Sequence, residues 1–327
     1  MIRTTPYRAA LACALLLAVG SAPAADGATS YPERPVRIVT GSPGSTSDFA
    51  ARFVAQKLTE RWGRQVVVDN RPGAGGIIGA EIVAKSAPDG YNLIVGQIGT
   101  HASPQFLFKK LAYDPVRDFV PITLMTNSGI ALTIAASLPV STTKEFVAYA
   151  KARPGKVNYA SAGGGTSSQL SGELFNQMTG AQLVHIPYKG AGFALTAVMA
   201  GETQAAFLST TTASVQVKAG KLKALAVMSP KRFAAAPDIP SITEAGFPGI
   251  EASVWFGLLA PAGTPKAIVG KINKDTVAIL STQEAKDALL LHGAEPVPQT
   301  TEEFDRFLKA EIAKWGRVIK AAGIQAQ

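Results

Sequence analysis

The fold is decided by the stretch Val36–Asp48, which reads VRIVTGSPGSTSD. Its apolar start predicts a strand, its Gly/Ser-rich centre predicts a loop, and the residues after it predict a helix. The stretch Val157–Gln169, VNYASAGGGTSSQ, repeats this plan further along the chain. Two glycine-containing segments, Val66–Gly76 and Leu183–Gly192, follow these stretches at a similar spacing. The chain is therefore predicted to contain two related α/β lobes.

The Gly/Ser-rich loops are candidate anion sites. A glycine-rich turn between a strand and a helix leaves backbone N–H groups unpaired at the positive end of a helix dipole. Open α/β sheets bind ligands at the carboxyl ends of their strands, and this rule selects the loops Gly41–Asp48, Gly96–Ser103, Ser161–Gln169 and Ser209–Ala213. The first and third loops contain no Lys or Arg, which favours a carboxylate over a phosphate.

A purely structural interpretation of the same loops stays open. The quartets Ser45–Asp48 and Thr166–Gln169 have the spacing of a capping box, so they would begin a helix whether or not a ligand binds. Alternating strand and helix patterns along the rest of the chain predict parallel sheets covered by helices. Among the shorter candidates are the strands Ile130–Ala135 and Trp255–Leu259 and the helix Val215–Ala219.

The amino-terminal segment predicts export. Residues 1–24 contain Arg3 and Arg8, then an apolar run, then Ala22 and Ala24 at signal-peptidase spacing. The apolar run is shorter than a membrane span requires. The only cysteine, Cys13, lies inside this run, so after cleavage we expect neither a disulfide nor a cysteine-ligated metal. The predicted location is the periplasm.

Composition and charge narrow the function classes. The chain of 327 residues is 47% apolar and 17% charged, which is ordinary for a globular protein. Its formal net charge of +9 could attract anions. However, the basic residues form separate groups with few aromatic residues between them, so no nucleic-acid partner is predicted. The length suggests two domains, each with its own core.

Enzymatic alternatives find little support in the three histidines. A serine hydrolase needs a nucleophile, a base and an orienting acid, but His101, His185 and His292 are scattered and no Gly-x-Ser-x-Gly elbow is present. The same scatter argues against a histidine metal site, and neither a metal nor a cofactor is predicted. His101 lies in a candidate site loop and is the one histidine expected to contact a ligand. The run Gly73–Gly79 is a weak match to a dinucleotide-binding loop.

Seven short motifs together resemble the tripartite tricarboxylate transporter substrate-binding receptors, also called the Bug family. They are Pro72–Gly76, Pro88–Tyr91, Tyr113–Phe119, Tyr159–Ser161, His185–Gly190, Pro237–Pro240 and Pro261–Pro265. The resemblance implies two Rossmann-like α/β lobes around a cleft, the periplasmic binding protein type II or Venus flytrap fold. It also implies two chain crossings, near Thr126–Ala131 and Ala252–Phe256. The expected domains are a signal peptide at 1–24, lobe 1 at 30–128 plus 254–327, and lobe 2 at 129–253.

The resemblance implies a monomeric receptor that hands a small carboxylate to the membrane components of such a transporter, without catalysis. The residues expected to bind substrate are Ser42, Gly44, Ser45, Thr46, Asp48, Gly99, Thr100, His101, Ser161, Ala162, Gly163, Gly165, Thr166, Ser167, Ser209 and Thr210. The chain departs from its relatives at Gln169, where they usually have His, and at Leu208, where many have Asp. The ligand's identity therefore does not follow from the resemblance. An exported α/β hydrolase and a ligand-presenting sensor protein remain the alternatives.

Overall fold

The computed structural model describes residues 30–326, so the predicted signal peptide lies outside the described residues. Ten strands are described: β1 Val36–Thr40, β2 Val66–Asn70, β3 Asn92–Gly96, β4 Phe119–Ala135, β5 Asn158–Ser161, β6 Val184–Pro187, β7 Ala205–Ser209, β8 Leu222–Val227, β9 Ser253–Pro261 and β10 Glu295–Pro296. The helices are α1 Thr46–Trp62, α2 Ile77–Ala84, α3 Pro104–Leu107, α4 Thr143–Lys151, α5 Ser167–Thr179, α6 Ala191–Ala200, α7 Thr210–Lys218, α8 Lys266–Leu280, α9 Gln283–Leu291 and α10 Thr301–Ala321.

All ten strands join one curled sheet. Its main path runs β2-β1-β3-β9-β4-β7-β5-β6, with β8 and β10 also pairing with β4. At one end β1 is parallel to β2 and β3, and at the other end β5 is parallel to β6 and β7. Each parallel group is built from strand-helix-strand units, so the carboxyl ends of its strands lie at one edge. The two groups are the two α/β lobes predicted from the repeated plan.

Strands β4 and β9 connect the two halves of the sheet. β4 pairs with β9 as far as Gly129 opposite Ser253, and from Ile130 onward it pairs with β7 and β8. The sequence predicted only the second part of β4, because Asn127, Ser128 and Gly129 are typical of a turn before Ile130 and Pro121 has no N–H for a ladder. The structure accommodates Pro121 with a shift of register at that residue.

The last helix, α10, contacts both halves of the sheet. It packs against β4 and also against α5. The buried indole N–H groups of Trp255 on β9 and Trp315 on α10 both donate to Glu311 Oε2, each at 2.8 Å. Glu311 also forms an ion pair with Lys314. A buried carboxylate with three partners is satisfied, so this cluster holds α10 against the crossing strand.

Residues 30–326 contain neither a membrane-spanning helix nor a cluster of metal-ligating side chains. None of the described helices combines the length and the apolar character that a membrane span needs. No group of three or more His, Cys, Asp or Glu side chains in this part of the chain is arranged to hold a metal ion.

Candidate functional site

Two loops at the helix starts end in the same kind of turn. Loop 1 is Gly41–Ser45, between β1 and α1, and loop 2 is Ala162–Thr166, between β5 and α5. Each ends in a four-residue turn closed by a backbone hydrogen bond of 3.4 Å between its last N–H and its first C=O. The third residue of each turn is a glycine with positive φ, +73° at Gly44 and +75° at Gly165. A positive φ at this position is typical of a type II turn, and glycine is favoured there because it has no Cβ.

The hydroxyl groups of the two loops are also equivalent. Ser45 and Thr166 are the N-caps of α1 and α5, and their hydroxyls accept the amide of the residue three positions on. Each hydroxyl donates to the carbonyl at the start of its turn at 2.7 Å. These contacts satisfy donors that a helix start leaves unpaired. The likeness of the two lobes therefore extends to individual atoms.

The loops differ in charge. Asp48 Oδ2 accepts the amide of Gly44 at 2.9 Å, and in the equivalent place Gln169 Oε1 accepts the amide of Gly165 at 2.6 Å. The first helix start therefore already holds a carboxylate, whereas the second holds a neutral amide. The loops differ also at the second turn position, which is Pro43 in loop 1 and Gly164 in loop 2. Glycine has an N–H that proline lacks.

The carboxylate of Asp48 is ionised. Burial raises its pKa, but hydrogen bonds from Arg52, Asn70 and the amide of Gly44 outweigh burial, so the pKa is below its usual value. The donors are Arg52 Nε at 3.1 Å and Asn70 Nδ2 at 2.8 Å. A fixed negative charge at the start of α1 opposes a second anion there.

A cavity of about 850 Å³ lies between loop 2 and the segment that follows β3. Its volume is in the range of small-molecule sites. It is lined by Gly75, Ile77, Gln97, Ile98, Gly99, Ser103, Leu107, Phe108, Gly164, Gly165, Thr166, Ser167, Gln169, His185, Pro187, Val254, Ile324 and Gln325. No Lys, Arg, Asp or Glu of the described chain contributes to this lining. The cavity can therefore hold an anion only through neutral donors.

The two halves of the chain meet beside this cavity. A Cβ placed on Gly165 in loop 2 would lie 2.7 Å from Cδ1 of Leu107, at the end of α3. Real Cβ atoms do not approach carbon so closely, so any side chain at this position would displace the end of Leu107, and the positive φ also favours glycine.

The side chains of Ser161, His185 and Gln169 form a hydrogen-bonded chain that contacts loop 2. The Nε2 atom of His185 lies 2.5 Å from Ser161 Oγ, and its Nδ1 atom lies 3.2 Å from Gln169 Nε2. Because Gln169 Oε1 accepts from Gly165, the amide nitrogen of Gln169 faces His185, and an amide nitrogen only donates. His185 Nδ1 is therefore the acceptor, and the ring proton is assigned to Nε2, where it donates to Ser161. Burial lowers the pKa of His185, which favours this neutral form.

Four of the residues predicted to bind substrate line the cavity: Gly99, Gly165, Thr166 and Ser167. Ser161, Ala162 and Gly163 lie behind the lining of loop 2, where Ser161 Oγ contacts His185 and accepts the amide of Gly163 at 3.1 Å. The predicted loop 1 residues do not contribute to this lining within the described chain; they are Ser42, Gly44, Ser45, Thr46 and Asp48. Ser209 and Thr210 form the cap and first residue of α7 and lie outside the lining too.

The expected ligand contact of His101 finds no support in this structure. Its ring is completely buried and packs edge-on against Phe119 at 4.5 Å between ring centroids. Its Nδ1 lies 2.8 Å from Thr100 Oγ1, and burial lowers the pKa of His101 to about 3. His101 is a neutral core residue, and of its loop only Gly99 among the predicted residues lines the cavity.

Several lining residues were not in the predicted set. Gln97 was missed although it caps the helical turn after β3, and its amide donates to Gly75 O at 3.0 Å. Gln169 lay in the predicted site loop Ser161–Gln169 but was not among the residues expected to bind substrate, and His185 was noted in the sequence but not assigned to the site. The apolar residues Leu107 and Ile324 carry no chemical signal, and only the fold brings them to the cavity.

Comparison with known proteins identifies the family. A family model described as the tripartite tricarboxylate transporter family receptor matches residues 50–324. The chain belongs to this family. The receptor is 33% identical to the protein BugT of Bordetella pertussis over 311 residues, which is 94% of this chain and 95% of BugT. The family consists of extracytoplasmic substrate-binding receptors, not of enzymes.

Solved structures confirm the fold. The R. palustris protein Rpa4515, solved with adipate, is 36% identical with a TM-score of 0.79, and the match covers 91% of the receptor and 100% of Rpa4515. The Rhodopseudomonas palustris protein MatC, solved with bound malate, is 33% identical with a TM-score of 0.74, covering 88% of the receptor and 100% of MatC. The predicted two-lobed type II binding protein fold and the predicted family are thus confirmed.

Proposed function

We propose that the receptor captures a small carboxylate in the cavity between its lobes and delivers it to the membrane components of a tripartite tricarboxylate transporter. The observation that carries this proposal is the uncharged start of α5, which opens into a cavity without fixed ions. Helix geometry leaves the amides of Ser167 and Ser168 without an intrahelical acceptor. Such amides at a positive helix end are suited to a carboxylate.

The proposed carboxylate site is on loop 2 and not on loop 1. Loop 1 already places the charge of Asp48 at its helix start and has Pro43 where loop 2 has the N–H of Gly164. Loop 2 offers neutral donors, since it has the amides at the start of α5 and the uncharged side chain of Gln169 beside them. A ligand with two anionic ends would therefore place only one of them at a helix start.

Capture is proposed to close the two lobes about the crossing strands. The proposed lobes are 30–128 plus 254–327 and 129–253, because β4 changes partner from β9 to β7 between Gly129 and Ile130. Two crossings leave the lobes free to hinge. The similar proteins solved with adipate and malate support a carboxylate ligand.

The hydrolase alternative is disfavoured by the proton on His185. A general base must accept the proton of the nucleophile, but His185 Nε2 donates to Ser161 and its Nδ1 is occupied by Gln169. We therefore propose that the receptor has no catalytic activity. A panel of small esters and amides should show no turnover above the rate in buffer.

Export to the periplasm through residues 1–24 is part of the proposal. Delivery to a transporter can be distinguished from presentation to a signalling receptor by uptake of labelled ligand into cells. Deletion of the receptor should abolish uptake if it serves a transporter, whereas a sensor partner would leave uptake intact and alter gene expression.

Thermal unfolding with a ligand panel tests the proposed function. Mono- and dicarboxylates should include compounds that raise the melting temperature, whereas nucleotides and sugar phosphates should not. At a hundredfold excess over Kd the expected stabilisation is about 2.7 kcal/mol. A panel in which phosphorylated compounds shift the melt and no carboxylate does would overturn the proposal.

A further inference from the structure

A large part of the cavity wall is apolar. It is formed by side chains from several separate elements: Ile77, Ile98, Leu107, Phe108, Val254 and Ile324. Ile98 and Leu107 are buried, and the others are half-buried. A wall of this kind is stabilised by covering it with apolar groups of a ligand, because that removes further apolar surface from water.

The polar side chains and amides of the lining that are suited to donate to a ligand lie at loop 2 with Gln169, at the turn after β3 with Gln97 and Gly99, and at Gln325 beside Ile324. Burying a hydroxyl or a charge against the apolar wall, away from these donors, would cost free energy because its hydrogen bonds to water are lost. The lining therefore favours ligands whose carboxylate is attached to an apolar segment over ligands whose carboxylate is attached to a polar one.

The end of the chain forms part of this wall. α10 ends at Ala321, and Gly323 with a φ of +64° turns the backbone. The Ile324 amide then donates to Ile319 O at 3.2 Å. The side chain of Ile324 packs against the main core cluster and lines the cavity. Because α10 packs on both β4 and α5, this wall is anchored to both halves of the sheet.

From this lining we infer that the receptor's ligand is a carboxylate with an extended apolar body, linear or aromatic, and that Ile324 contributes to this specificity. The inference rests on the proposed function, since it names the substrate class of the same site. It excludes short hydroxy acids as the best ligands, because their hydroxyl groups would face the apolar wall. A second polar end, where the ligand has one, would lie at Gln97 and Gly99.

A series of dicarboxylates on the unaltered protein tests this class by calorimetry. Affinity should rise about fourfold for each added methylene group from succinate through glutarate to adipate. Malate should bind no better than succinate. Benzoate, which has an apolar ring and one carboxylate, should bind more tightly than acetate. Tightest binding of malate or succinate would overturn the substrate class but leave the proposed function in place, whereas binding of no carboxylate would overturn the proposed function itself.

The role of Ile324 is tested by comparing two alanine variants, one at Ile324 just after α10 and one at Ile312 within α10. Ile324→Ala should weaken adipate binding about fivefold or more and change succinate binding much less, since succinate has fewer methylene groups to cover. Ile312→Ala is the matched control, because Ile312 is also half-buried against the same core cluster but is not part of the cavity lining. Ile312→Ala should leave the ratio of the two affinities unchanged. An unchanged ratio in Ile324→Ala as well would show that the end of the chain does not set specificity.

Discussion

Replacement of Gly164 by proline would separate the binding role of loop 2 from its structural role. Proline already occupies the equivalent turn position in loop 1, as Pro43, and the turns of both loops have the same closing bond and the same positive φ at the next residue. The fixed φ of proline is suited to the second position of a type II turn. The substitution Gly164→Pro therefore removes one amide hydrogen from loop 2 with little change expected in the turn.

The expected effects on stability and on affinity have opposite signs. At a compatible turn position, proline stabilises the folded state by about 0.4–1 kcal/mol because it restricts the unfolded chain. Loss of one hydrogen bond to a charged group costs about 1.5–3 kcal/mol. If the amide of Gly164 contacts the ligand carboxylate, the affinity should fall by about 10-fold to 150-fold, while the unliganded melting temperature stays the same or rises.

Isothermal titration calorimetry with the tightest-binding carboxylate measures the affinity, and calorimetric melting without ligand measures the folding. The reciprocal change Pro43→Gly in loop 1 is the matched control. It adds an amide outside the cavity lining, so it should lower the melting temperature slightly and leave Kd unchanged. A Gly164→Pro variant that folds normally and binds as tightly as the parent would refute the assignment of the carboxylate to loop 2.

Three further predictions concern lobe contact, pH and the anchoring of α10. Gly165→Ala should weaken ligand binding and enlarge the radius of gyration of the liganded protein in solution scattering, because the new methyl group meets Leu107. Gly155 has a similar positive φ but open space around it. Gly155→Ala should therefore lower the stability of the protein and leave ligand binding unchanged. The free energy of unfolding should fall by about 2 kcal/mol between pH 7 and pH 5: folding lowers the pKa of His101 from its ordinary 6.5 to about 3, so the unfolded chain takes up the proton first. Urea titrations of His101→Gln should show a smaller decrease. Glu311→Leu leaves two buried indole donors without an acceptor and should lower the stability by about 2–4 kcal/mol in chemical unfolding, whereas Glu311→Gln, which keeps an acceptor, should lose less.

The sequence predicted the repeated loops because their signals are local. A strand pattern, a positive-φ glycine and a capping hydroxyl all lie within a dozen residues of each other in each lobe. The quartets Ser45–Asp48 and Thr166–Gln169 were predicted to begin a helix, and α1 begins at Thr46 and α5 at Ser167. The hydroxyl half of each capping box is present. The acidic or amide half is not, since the side chain reaches the residue before the cap.

The cavity could not be predicted in the same way because its wall is assembled from distant segments. Leu107 and Ile324 are separated by most of the described chain and meet the cavity only through the packing of α3 and α10. The sequence analysis also assigned ligand binding to loop 1 and loop 2 alike, and it did not predict which of the two lines the cavity. Their difference depends on which loop faces the cavity, and that follows from tertiary structure alone. The lobe boundaries and the remaining predicted contacts stay predictions.

A crystal structure of the receptor with its tightest-binding carboxylate would test the central claim most directly. We predict that a ligand carboxylate lies within hydrogen-bond distance of the amides of Gly164 and Ser167 in loop 2, with the body of the ligand against Ile324 and Leu107. A carboxylate bound at loop 1 instead, or a ligand outside the cavity between the lobes, would contradict it.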